Sequence, residues 1–275
     1  MMHKKAHIRE IARQLSGFLA TGNAGDLMAW LVAESELRGS HGNRDLALAF
    51  ADVVREYAAA DDGDCWTLWD LCTEFACTSP EDAPAGDPRE VLPLCGICGI
   101  AAIGVVAPVS TGAALARLQD ASLDPRPWVR EGVTLGVRDL LAARQEVTVA
   151  GLEGWVESGS WLPMRAAATG IVESGLHEEP ELAEAALKLH RKILIRIYTA
   201  GERQSEGFVA LRKVLGYTLS QVVMALPGVG FEYLRQLATL DDHDVRWIVR
   251  ENLERDALLR QYPETVRHIR AGLAR

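Results

Sequence analysis

The stretch LCGICGIAAIGVVAP, Leu94 to Pro108, lies inside a run from Val91 to Ala116 that carries no charged side chain. Such a run crosses a bilayer, forms half of a cysteine metal site, or is a helix enclosed on several sides by other helices. Pro93, Pro108 and four glycines interrupt it as a membrane span, and neither an aromatic belt nor a basic cluster flanks it. No membrane partner is therefore expected. Cys95 and Cys98 have CxxC spacing, but Cys65, Cys72 and Cys77 supply no second pair at that spacing, and a structural zinc needs four ligands. Buried thiols acting as small apolar residues fit better. Upstream, Asp87-Pro88 offers an N-cap followed by a first-turn proline, and Glu90 stands where a capping box places its acid. The run reads as a properly started helix in the interior of something repetitive.

The rest of the 275-residue chain reads as helix and turn, 48% apolar, with a net charge of −9. That charge divides into −14 over residues 1–184 and +5 over 185–275. Overall acidity disfavours indiscriminate binding to nucleic acid, while the basic end suits an anionic partner surface. Five cysteines, an odd number, fit free thiols in a reducing cytoplasm better than a disulfide framework. The opening MMHKKAHIREIARQLSGFLA is too charged for a signal peptide and reads as an amphipathic helix; His3 and His7 share one of its faces and lack the HExxH context of a metal site. Asp61 to Asp64 break the chain without the spacing of a calcium loop. Thr78 to Pro88 is the clearest loop. The expected division is a helical part over 1–78, a loop over 79–87 and repeats over 88–275 ending in a capping helix.

Four segments repeat a pattern: PWVREGVTLGV (127–137), WLPMRAAATGI (161–171), FVALRKVLGYT (208–218) and WIVRENLERDA (247–257). Each places an arginine, Arg130, Arg165, Arg212 or Arg250, after an apolar residue and shortly after an aromatic, at separations of 35, 47 and 38 residues. Six positions before them stand Asp124, Gly159, Glu206 and Asp244. A helix of this kind cannot bury its apolar face alone; it needs a partner and then a neighbouring pair. The pattern resembles HEAT repeats. That resemblance implies an all-α solenoid, an armadillo-type superhelix of stacked antiparallel helix pairs, in which acid and arginine six residues apart form a ladder between repeats. Asp124/Arg130 and Asp244/Arg250 match it; Arg165 follows Gly159 instead. Trp128, Trp161 and Trp247 recur with the pattern as packing residues, or as stacking platforms on a concave face.

For function, neither a phosphate-binding nor a dinucleotide loop nor a hydrolase elbow is present. The strongest cue is Glu181 to Ala200, where Lys188, Arg191, Lys192 and Arg196 make a basic side opposite Ala185, Leu189, Ile193 and Ile197, with Arg212 and Lys213 as extensions. The expectation is a non-enzymatic scaffold, without cofactor or metal, that binds a protein or peptide on its concave face. A second reading follows from Ser158-Gly-Ser-Trp161-Leu-Pro-Met-Arg165 and Thr67-Leu-Trp69-Asp70, which resemble segments of HEAT-like alkylpurine DNA glycosylases; that resemblance implies Asp70 as the catalytic residue, although Pro163-Met164 replaces part of the family's motif. HEAT-like repeats also occur in phycobilin lyases, but no local motif here points to that chemistry.

Overall fold

The computed structural model describes residues 2–35 and 42–273, with side chains over 6–35 and 43–273; the side chain of His3 lies outside them. All regular structure among the described residues is helical. The chain divides into two compact units, Met1–Thr148 and Val149–Arg275, and the division falls inside one helix, Gln145–Glu157. The first unit holds α1 (Met2–Thr21), α2 (Gly25–Glu34), α3 (Gly42–Ala60), α4 (Asp62–Ala76), α5 (Val91–Val106), α6 (Thr111–Ala121) and α7 (Pro127–Ala143). After α8 (Gln145–Glu157) come α9 (Trp161–Val172), α10 (Pro180–Thr199), α11 (Glu206–Ala225), α12 (Pro227–Ala238), α13 (His243–Leu253), α14 (Asp256–Gln261) and α15 (Pro263–Leu273).

Punctuation chemistry places these boundaries. Pro127, Pro180, Pro227 and Pro263 each occupy the first helical position, where a missing N–H costs nothing. Asp61, Ser205 and Asp242 accept backbone N–H groups at the starts of α4, α11 and α13.

Within the first unit α1, α3, α5 and α7 pack each on the next, while α4 and α6 lie against α5 from the side. The uncharged run is thus surrounded by α3, α4, α6 and α7, and every residue from Val91 to Gly104 is buried. Pro88–Val106 has the length and apolarity of a membrane span, yet 83% of its apolar window is enclosed by the fold. Cys72, Cys95 and Cys98 are buried thiols in this interior, and no cluster of metal-binding side chains occurs among the described residues. Burial raises all three, Cys98 to about 12, so they pack as neutral groups. Cys77, at the end of α4, is exposed.

Glycine sets the helix spacing. A β-carbon on Gly96 would stand 2.4 Å from the Ala76 nitrogen and 2.6 Å from the Cys72 carbonyl oxygen, and one on Gly99 would stand 2.4 Å from the Cys72 sulfur. The backbones of α4 and α5 therefore meet where no side chain fits.

The loop over 79–87 is packed within the first unit. Ala83 is fully buried, and Arg126, only 2% exposed, donates to the carbonyls of Thr78, Ser79 and Ala83. The same guanidinium binds both carboxylate oxygens of Asp124 at 2.9 and 2.7 Å. This corrects the expectation of an Asp124/Arg130 ladder pair. Helix α7 starts at Pro127 with Arg126 as its cap, and Asp124 uses its carboxylate on Arg126, leaving Arg130 to donate to the main-chain carbonyls of Asp124 and Pro125. Glu90 also departs from the capping-box geometry: it accepts from the N–H groups of Gly86 and Trp128, tying the start of α5 to the start of α7.

In the second unit α9 packs on α11 and α11 on α13, while α10 lies against α9 and α11 and α12 against α11 and α13. Helix pairs thus stack layer on layer in each unit, the arrangement of an α-solenoid. Trp161 meets Phe208 edge to face, 5.4 Å between ring centres, joining α9 to α11. Asn252 donates to the carbonyls of Leu215 and Ile248 and accepts the N–H of Ser220, binding α13 to α11 inside the core. His190 joins α10 to α11: its Nδ1–H donates to the Ala186 carbonyl and its Nε2 accepts the hydroxyl of Thr218. Complete burial pulls its pKa from 6.5 to about 4, so the folded ring is neutral.

Two substitutions probe this packing. Gly96→Ala forces α4 from α5 and is expected to destabilise the chain by about 1–3 kcal/mol, read as a lowered urea midpoint, whereas Gly154→Ala, in open space inside α8, holds the midpoint or raises it by about 0.5–1 kcal/mol, the gain of alanine over glycine in a helix. As pH falls, the unfolded chain protonates His190 before the folded chain does, so stability present above pH 6.5 is lost toward pH 4. His190→Gln removes that component, flattening the dependence of unfolding free energy on pH across this window.

Candidate partner-binding groove

The basic side of α10 is engaged inside the second unit. Lys188 and Lys192 approach Glu153 at 2.7 and 2.6 Å, Lys192 also reaches Glu157 at 2.9 Å, and Arg196 donates to the Glu157 carbonyl. Hydrogen bonds from Lys188 and Lys192 hold the Glu153 carboxyl below its ordinary value, and those that Lys192 donates to Glu153 and Glu157 raise its ammonium. Two acids on α8 thus neutralise much of the stripe. Lys213 is exposed on α11.

Arg212 faces its own fold. Its guanidinium pairs with Asp244 at 2.5 Å and lies over the Trp247 ring, 4.5 Å from the centroid. The inter-repeat contact is therefore Asp244 to Arg212 on the preceding layer; Arg250, six residues beyond Asp244, is exposed on α13. Half-buried Arg165 sits in the first turns of α9 behind Gly159, whose φ of +80° is a conformation glycine adopts readily. Trp128 is half-buried at the start of α7.

Sequence reasoning missed Arg203. From the α10–α11 loop it donates to the carbonyls of Tyr198 and Ala200 and pairs with Asp242 at 2.7 Å and Asp244 at 3.4 Å. Burial opposes ionisation of Asp242, but two backbone N–H groups and Arg203 outweigh it and hold the carboxyl below its ordinary value. The available signal was a loop arginine facing the acids Asp242 and Asp244; Arg126, between two prolines and near Asp124, has the same form.

This clamp fixes the end of α10 beside a feature that no motif announces. Between α10 and α12 runs a groove of about 560 Å³, walled by Arg191, Leu194, Ile195 and Tyr198 on one side and by Tyr233, Gln236, Leu237 and Leu240 on the other. Both walls follow i, i+3, i+4, i+7 spacing, the stripe one helix presents to another. Ile195 is 62% exposed and Tyr198 49%. Arg191 lies 5.0 Å from the Tyr233 ring centre, and burial raises the Tyr233 phenol above its ordinary range. No carboxylate among the described residues pairs with Arg191.

No family model matches the chain, and no curated protein matches it. Among solved structures it is similar to an engineered protein from a structural genomics consortium, at 13% identity and a TM-score of 0.33, covering 88% of this chain and 97% of that one. It is also similar to a designed armadillo repeat protein, at 12% identity and a TM-score of 0.31, covering 82% and 98%.

Asp70 is exposed on α4, without the enclosure that positions a catalytic carboxylate over a flipped base. No observed contact supports the glycosylase reading.

Arg212→Ala and Asp244→Ala are expected to show a coupling of about 1 kcal/mol in a double-mutant cycle of unfolding free energies, whereas Lys188→Ala stays within about 0.5 kcal/mol of the parent.

Proposed function

We propose that the chain is a helical-repeat scaffold without catalytic activity of its own, and that it holds a segment of a partner protein in the groove between α10 and α12. The observation that carries this reading is the groove itself: side chains such as Ile195 and Tyr198 stand in solvent at helical spacing around the Arg191 cation. Apolar surface exposed contiguously on a folded chain commonly marks an interaction site, and this volume lies in the range of ligand-binding clefts. The stripe of Lys188, Lys192 and Arg196, paired with Glu153 and Glu157, contributes polarity to α10 without net attraction for a partner. The cytoplasm suits the free thiols.

The test is peptide display. A library of random 16-residue segments is panned on the full chain, and recovered clones are measured on Ile195→Asp, a change at an exposed site that leaves the thermal melt intact. Clones that lose about tenfold or more in affinity on the variant support the groove as the seat; clones that bind parent and variant alike, or no clones at all, overturn it.

A further inference from the structure

The walls of this groove also define the shape of its occupant, an inference that rests on the groove being the seat. Exposed Ile195 and Tyr198 and half-buried Leu240, over a floor of buried Leu194 and Leu237, offer only carbon surface or a phenol, and the remaining polar groups are the Arg191 guanidinium, the phenol of buried Tyr233 and the Gln236 amide. An extended segment laid along them would bury a row of backbone N–H and C=O groups, each of which needs a partner. There are too few groups here to serve them, and no strand edge exists among the described residues to add to. A helix satisfies its own backbone and presents only side chains. The walls are α10 on one side and α12 with Leu240 just past its end on the other, and Arg191 and Tyr233, the first residue of each stripe, meet. A third helix between them continues the helix-on-helix packing of the fold.

Charge selects among helices. Arg191 stands at the mouth without a carboxylate partner among the described residues, its guanidinium held over Tyr233. A cation beside an apolar cleft favours an occupant that brings an acid to it and disfavours one that brings a base. We infer that the groove between α10 and α12 receives an amphipathic helix of a partner protein, with apolar residues at i, i+3, i+4 and i+7 and a carboxylate positioned against Arg191.

Two display libraries panned side by side on the full chain test this. One fixes leucine at i, i+3, i+4 and i+7 of a 15-residue helix and varies the other positions; the second keeps the same number of leucines and places proline at alternate positions, which hold it extended. The expected result is groove-dependent clones, weakened about tenfold or more by Ile195→Asp, from the helical library alone, enriched in Asp or Glu in the turn nearest Arg191. On Arg191→Glu those clones weaken about tenfold, and their Lys-substituted forms regain affinity. Groove-dependent clones from the extended library alone overturn the helix and leave the seat standing. Helical clones indifferent to Arg191→Glu overturn the carboxylate. Clones from neither library that respond to Ile195→Asp overturn both the helix and the seat, and self-association of the parent abolished by Ile195→Asp reassigns the groove to a second copy of the chain.

Discussion

Two helices can lie no closer than the atoms between them allow, and in the first unit that limit is reached where Gly96 and Gly99 face the backbone and thiol of α4. Everything packed on α5 inherits its position from this contact. With α4 seated so closely, α3 and α7 close the remaining sides, and an uncharged, thiol-bearing helix becomes the lowest-energy filling of a space that water does not enter. Arg126 then finishes the unit from outside, saturating the carbonyls of a proline-rich loop with one buried guanidinium whose charge Asp124 balances. A buried cation left alone is costly, so this pairing is what permits the loop to pack.

The second unit reaches the same layered result by different chemistry. Its joints are polar: Asp244 with Arg212, Asn252 with the backbone of α11, His190 with Thr218. Directional contacts fix register as well as proximity, because each donor must meet its acceptor. Arg203 caps the end of α10 through the carbonyls of Tyr198 and Ala200 and ties it to the cap of α13 through its ion pair with Asp242. The groove beside Tyr198 is a product of that bracing, and its two walls are free to be apolar because the structural charges have partners elsewhere.

Much of the architecture was legible in the chain. The uncharged run, the proline after Asp87 and the recurring aromatic-to-arginine pattern all report local rules, and α5, α7, α9, α11 and α13 lie in the stretches they mark. The place of Arg126 at the start of α7 was not legible, because its partners are the carbonyls of Thr78, Ser79 and Ala83, which come near only in the fold. The candidate site was far less legible. Periodicity located the charged side of α10 but said nothing of Glu153 and Glu157, which approach it from another helix. Arg212 reads as surface until Trp247 and Asp244 are placed beside it. The groove itself belongs to two helices well separated along the chain, and a void between elements leaves no trace in the periodicity of either.

The distribution of sulfur has a practical corollary. Of the five cysteines, Cys65, Cys72, Cys95 and Cys98 are buried, with thiol acidity suppressed by burial, while Cys77 alone is exposed. It stands beside Arg117 and Asp120 in a shallow depression between α4 and α6. Maleimide chemistry on the native, unmutated polypeptide thus attaches a fluorophore or spin label at one known address, and alkylation of the other four becomes a chemical stopwatch for opening of the interior.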